Sequence, residues 1–314
     1  WSSDVCSSDL SAMAFLHLRK PNLGKPRIDY LGMILVATAA TCLILFTTWG
    51  GNTYAWGSGV IIGLIVGCVV TAVAFVFVEK RADEPVIPMH LFAQRNFVLT
   101  TVAGLIIGIA MFGALAYLPT YIQMVTGKNA TEAGLMMIPM MAGLLVASIG
   151  SGQLVSKTGR YKIFPIVGTS IVAVALVLLS RLTPSTSLLV FGCYIALMGI
   201  GLGLVMQILI LIVQNTFPAA EVGTATASNN FFRQIGASLG SAIVGSLFAS
   251  RLTNLLAERL PANGGAVGGD ENSLTPGILW KLPSQVREII VGAYNDALAP
   301  IFLYLVPLVI AAVV

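Results

Sequence analysis

Eight long apolar runs divide the 314-residue chain, and a soluble core has no room for so much unbroken apolar sequence. A helix needs about 20 mostly apolar residues to cross ~30 Å of hydrocarbon. Marked off by charged or Pro/Gly-rich interruptions, the runs lie at roughly 28–49, 57–79, 97–124, 133–156, 162–181, 187–213, 227–250 and 298–314. Composition agrees: 57% of residues are hydrophobic and 10% charged. A soluble domain has ~45–50% and ~25%. The mean hydropathy is +0.91. The expected fold is an all-α membrane protein.

Charge is read by position. Lys and Arg number 17 against 13 Asp and Glu, a net charge of +4. Basic residues flank spans on the cytoplasmic side, so this surplus calls for no nucleic-acid partner. Arg19, Lys20, Lys25 and Arg27 precede the first span; Lys80, Arg81 and Arg95 follow the second; Lys157, Arg160 and Lys162 follow the fourth. Those connections are expected to be cytoplasmic. The alternating connections at 50–56, 125–132 and 182–186 are poorer in charge, and a long polar loop at 251–297 falls on the outer side. Within that loop, Pro283 to Ala297 suits a short surface helix.

The ends carry their own expectations. Residues 1–10 open on Trp1 with a polar near-duplication and are read as a non-native cloning scar; 11–27 form a cytoplasmic linker. Val314 falls inside an apolar run, so the last helix reads as truncated.

The residue inventory argues against an enzyme. The two histidines, His17 and His90, stand beside basic residues in cytoplasmic connections, and no H-E-x-x-H, G-x-S-x-G or P-loop is present. Cys42, Cys68 and Cys193 lie in apolar runs and Cys6 stands apart, which points to packing rather than a metal or disulfide. No cofactor is expected.

Charge inside spans is expensive and marks function. Asp29 and Glu79 sit at span ends, Glu132 and Glu221 in connections, and no acid falls mid-span. Arg233, one to two turns inside the seventh span, either snorkels to the interface or faces a path. On the same span Thr226, Asn230, Gln234, Ser238 and Ser241 recur at helical spacing and share one face. That face either lines a water-filled cavity or hydrogen-bonds to a neighbouring helix. Gln207 on the sixth span and Gln123 near the outer end of the third are further cavity candidates.

Small residues and prolines add a mechanical hint. Gly236 and Gly240 make a G-x-x-x-G suited to close helix packing. Gly104, Gly108, Gly113, Gly199, Gly201 and Gly203 permit close approach and bending, while Pro119 and Pro139 remove backbone donors. Met136, Met137, Met140 and Met141 form a flexible apolar cluster fitting either adaptable ligand contact or plain packing.

The stretch Gly152-Gln153-Leu154-Val155-Ser156-Lys157-Thr158-Gly159-Arg160-Tyr161-Lys162 resembles the loop motif G-x-x-x-D-[RK]-x-G-R-x-[RK] of the major facilitator superfamily. Gly152, Lys157, Gly159, Arg160 and Lys162 match; Ser156 replaces the acid, so the role of that charge does not carry over. Pro119-Thr120-Tyr121-Ile122-Gln123, Gly127, Glu132-Ala133-Gly134 and Arg233-Gln234-Ile235-Gly236 resemble the fourteen-helix drug:proton antiporter branch of EmrB/QacA type. Residues 28–95 are similar to the two additional helices of that branch with their cytoplasmic loop, and 96–314 to its C-terminal six-helix bundle.

The resemblance implies a partial major facilitator fold of about eight transmembrane helices, helices seven to fourteen of a longer chain. It implies proton-driven export of drug-like or amphipathic small molecules across the bacterial inner membrane by alternating access. The implied partners are the lipid bilayer, the amphipathic substrate, the missing N-terminal half with its proton-binding acids, and a periplasmic adaptor protein. The motif residues would serve conformational switching, and Gln207, Asn230, Gln234, Ser238 and Gln123 the cavity. Alternatives are a dedicated exporter of one metabolite, siderophore or antibiotic, or a non-transporting assembly or sensor protein.

Overall fold

The computed structural model describes residues 29–51, 53–82, 85–259, 276–280 and 282–312. The expected scar at 1–10, the linker at 11–27, Cys6 and His17 lie outside them. The helices are α1 (Tyr30–Trp49), α2 (Gly59–Glu79), α3 (Arg95–Leu115), α4 (Leu118–Thr126), α5 (Ala130–Leu135), α6 (Ile138–Thr158), α7 (Ile163–Leu179), α8 (Leu188–Thr216), α9 (Val222–Arg259), α10 (Pro276–Leu279) and α11 (Ser284–Ala311). Seven helical stretches are long and apolar enough to cross a bilayer. The 17-residue α7 is an eighth apolar helix, about 26 Å long at 1.5 Å per residue. The all-α membrane architecture is therefore as expected.

Two spans are built in pieces, and proline marks both joints. α3 stops at Leu115 and the chain resumes as α4, with Pro119 in its first turn; α5 gives way to α6, with Pro139 in its first turn. A first-turn proline costs little, because its missing N–H would have no partner in the helix anyway. Asn129 caps α5, accepting from Glu132 N at 2.8 Å while Glu132 Oε2 accepts from Asn129 N at 3.3 Å. This is a reciprocal capping box, and Asn-x-x-Glu was its signal in the sequence.

Six spans form one bundle. α3 packs on α9, α6 and α7 on α8, and α11 closes the ring against α9 and α7. Its buried core runs through Ile107, Leu118, Leu176, Ile195, Leu202, Leu298 and Phe302. Tyr121 Oη donates to buried Asn295 Oδ1 at 2.7 Å, tying α4 to α11. The hairpin α1–α2 attaches through α1 to α9. Only 11% of the most apolar stretch of each hairpin helix is buried, against 61% for α11, so the hairpin stands at the periphery.

The long loop expected at 251–297 is shorter than that. α9 continues to Arg259 and α11 starts at Ser284, merging the expected surface helix 283–297 with the last span through Pro300. Thr253, Asn254, Glu258 and Arg259 of α9 lie on its exposed face, and residues 260–275 of the expected loop lie outside the described ones. Leu252 and Leu256 continue the buried stripe of α9 and join the cluster of Ile290, Tyr294 and Ala297. Arg259 Nη2 meets Asp296 Oδ2 at 2.8 Å and fixes the two extensions to each other.

Candidate functional site

Apart from Gln123, the expected site residues fall in two polar regions of the bundle. The first lies between α6 and α8. Near the bundle centre a β-carbon on Gly199 would strike Met140 O, and one on Gly203 would strike Leu144 O. Small residues thus let the two backbones touch. Further along, the seam loosens: a β-carbon on Gly152 would lie 3.9 Å from Gln207 Cγ. Ser148 Oγ donates to Gln207 Oε1 at 3.3 Å. A recess of about 750 Å³ opens there, lined by Ser148, Ile149, Gly152, Gln153, Ser156 and Lys157 of α6 and Gln207 of α8.

This recess joins residues that the sequence reading had assigned to different roles. Gln207, expected in a substrate cavity, lies beside Gly152 and Lys157 of the motif. Gly152 belongs to the helix rather than to the turn. Gly159 makes the turn: at φ +67° it ends α6, and its N–H reaches Val155 O at 2.8 Å. A left-handed conformation is cheap only for glycine. Ser156 Oγ donates back to Gly152 O at 2.9 Å, so the position where the motif has an acid is neutral and locally satisfied. Lys157, Arg160 and Lys162 are exposed. None forms an ion pair among the described residues. Lys157 lies in the last turn of α6, where a cation complements the helix dipole.

The second region is α9. Gly236 and Gly240 face α3 so closely that a β-carbon would strike Leu105 O and Ile109 O respectively. Asn229 continues that face; it is buried, and Nδ2 donates to Thr101 Oγ1 at 3.2 Å. The sequence reading passed over Asn229, although its spacing of seven and eleven residues from Gly236 and Gly240 is that of one helix face. The polar stripe lies to one side and splits along its length. At one end Tyr117 Oη donates to Ser241 O at 3.1 Å, and Ser241 Oγ to Ser238 O at 3.0 Å. At the other, Asn230 Oδ1 and Thr226 Oγ1 are buried with no hydrogen-bond partner among the described residues, and Gln234 is exposed. Arg233 is half-buried on the α3 side, its Cβ 4.0 Å from where a Gly104 β-carbon would stand.

Gln123 is placed apart from both regions. Its Nε2 donates to Pro119 O at 3.2 Å within its own helix, and its backbone carbonyl accepts from Trp280 Nε1 at 3.4 Å. The Trp280 indole lies over Gly127, which ends α4 at φ +69°. Cys42, Cys68 and Cys193 are free thiols. His90 Nε2 and Glu221 Oε2 meet at 2.9 Å at the basic end of the bundle, joining the connections before α3 and α9. Among the described residues no group of three or more His, Cys, Asp or Glu is placed to hold a metal ion.

Residues 78–241 match the family model described as Major Facilitator Superfamily. The chain is 43% identical over 279 residues to the uncharacterized MFS-type transporter Rv1877 of Mycobacterium tuberculosis, covering 89% of this chain and 40% of that one. It is 38% identical over 237 residues to the multidrug transporter protein MdtP of Bacillus subtilis, covering 76% and 44% respectively. The chain thus spans less than half the length of these relatives, which are named as transporters, not enzymes. Among solved structures it superimposes on a bacterial homolog of the human lysosomal transporter Spinster, in an inward-facing and occupied conformation, with a TM-score of 0.58. The two share 15% identity, covering 90% of this chain and 63% of the other, so that likeness concerns the fold. The match spans more than half of the chain and contains the motif at 152–162, and the chain belongs to the major facilitator superfamily.

Proposed function

We infer that this chain supplies the C-terminal six-helix half and two additional helices of a fourteen-span, proton-driven exporter of drug-like or amphipathic small molecules in a bacterial inner membrane. The open end of the α9 polar stripe carries this reading. Asn230 holds a buried, unpartnered amide oxygen beside exposed Gln234. An unmet polar group at membrane depth is costly unless a cavity or ligand serves it. Resemblance to a relative named a multidrug transporter supports the substrate class. The missing half supplies the opposing wall and the proton-binding acids, and the basic end carrying Lys157, Arg160 and Lys162 faces the cytoplasm. A periplasmic adaptor would meet the opposite end.

The test is accumulation of a panel of lipophilic cations and anions in efflux-deficient cells expressing the full-length protein, with and without a protonophore. Protonophore-sensitive exclusion of several unrelated dyes is expected. Exclusion of none, with the protein present in the membrane, would replace this reading by a dedicated metabolite exporter or a non-transporting role.

Arg160 serves the change of state rather than substrate contact. It follows the left-handed turn at Gly159, is exposed, and has its N–H 3.4 Å from Thr158 Oγ1. Arg160→Ala is expected to slow turnover several-fold at unchanged membrane abundance and unchanged substrate affinity. Normal turnover at normal expression would remove that role.

A further inference from the structure

The two acids that close the α1–α2 hairpin are built into one another. Asp29 caps α1, its Oδ1 accepting from Gly32 N at 2.8 Å. Glu79 ends α2 with 3% of its surface exposed, and its Oε1 accepts from Ile87 N. Each carboxyl has one oxygen engaged by a backbone N–H. The other two, Asp29 Oδ2 and Glu79 Oε2, are buried without a hydrogen-bond partner among the described residues. Both converge on Gly32, where a β-carbon would collide with Asp29 Oδ2 and stand 3.0 Å from Glu79 Oε2.

Neither acid forms an ion pair with Lys, Arg or His among the described residues. Among the described residues the charged groups on the elements packed around the hairpin are few. Lys80 and Arg81 follow α2 and are exposed. His90 and Glu221 engage each other. Arg233 of α9 lies toward α3, beside Gly104.

An ionised carboxylate only accepts hydrogen bonds, so two facing carboxylates lack a donor and repel, whereas a carboxylic acid beside a carboxylate supplies the missing O–H. Two oxygens are too few for a hard cation, which takes six or more. We propose that Asp29 and Glu79, whose free oxygens lie no more than about 5 Å apart across Gly32, are a proton-binding site that holds one proton between the two carboxyl groups and keeps the ends of α1 and α2 together. Releasing the proton leaves two anions close together on either side of Gly32 and loosens the hairpin at that end. The site requires only that the chain folds in a membrane, and it stands or falls separately from the exporter reading.

The test uses the full-length protein in lipid nanodiscs and the infrared C=O stretch of protonated carboxylic acids. At neutral pH a wild-type minus Glu79→Gln difference spectrum should contain a carboxylic-acid band that vanishes at alkaline pH. Asp29→Asn should remove the same band, because either amide supplies the donor and leaves its neighbour ionised. Thermal stability provides a second readout. The folded pair keeps a proton that the unfolded chain releases at acid pH, so wild-type stability falls as pH rises through the titration of the pair. Glu79→Gln and Asp29→Asn should flatten that dependence. No carboxylic-acid band in the wild-type spectrum at neutral pH would overturn the proposal without recourse to any variant. So would difference spectra without the band, or an unchanged pH dependence of stability in both variants.

Discussion

Gly240→Val in the full-length protein is expected to empty the membrane of folded protein. The β-carbon it adds would strike Ile109 O and stand 2.6 Å from Ile109 Cα, a backbone that no rotamer change can move. Overpacking a dense core costs about 1–3 kcal/mol and sometimes more. A clash with main chain along the contact between α3 and α9 belongs at the upper end, because relief means separating the helices and losing the Asn229–Thr101 hydrogen bond. A detergent-solubilised sample should melt at a markedly lower temperature, and abundance should fall with it. Gly150→Ala is the matched control, since nothing lies within 4 Å of the β-carbon it adds. Wild-type melting of Gly240→Val would remove the helix-contact role of the G-x-x-x-G.

Asn230→Ala should separate function from stability. The side chain holds a buried, unpartnered oxygen, so removing it relieves a desolvation penalty of about 1–3 kcal/mol rather than breaking an internal hydrogen bond. The variant should melt no lower than wild type. Efflux should nevertheless fall about tenfold, as expected where one hydrogen bond worth ~1.4 kcal/mol serves a substrate or its water. Gln234→Ala should lower efflux in the same direction at unchanged abundance. Unchanged efflux in both would assign this end of the stripe to helix packing, as Tyr117 and Ser241 already do at its other end.

These variants show where sequence reading succeeds. A run such as Leu188–Thr216 has one low-energy place to go, because its apolar side chains exclude water and its backbone must bond internally in lipid. Spacing on α9 likewise placed Gly236 and Gly240 on one face without any partner being known. The turn at Gly159 was legible too, since few residues other than glycine take a positive φ. The sequence also contained the continuation of α9 to Arg259, in Leu252 and Leu256, but Thr253 and Asn254 between them and the charges of Arg251, Glu258 and Arg259 around them obscured it.

What sequence alone determined is what each residue must do within its own helix: which runs cross the membrane, which end is basic, which positions share a face. What a face meets was decided only by tertiary structure, because that depends on residues a hundred or more positions away. Gln207 came to Ser148 and Gly152 rather than to the α9 stripe, and Asn229 found Thr101. Asp29 and Glu79 read as two separate span ends. Folding α1 against α2 brought both to Gly32, each with one oxygen left without a donor among the described residues.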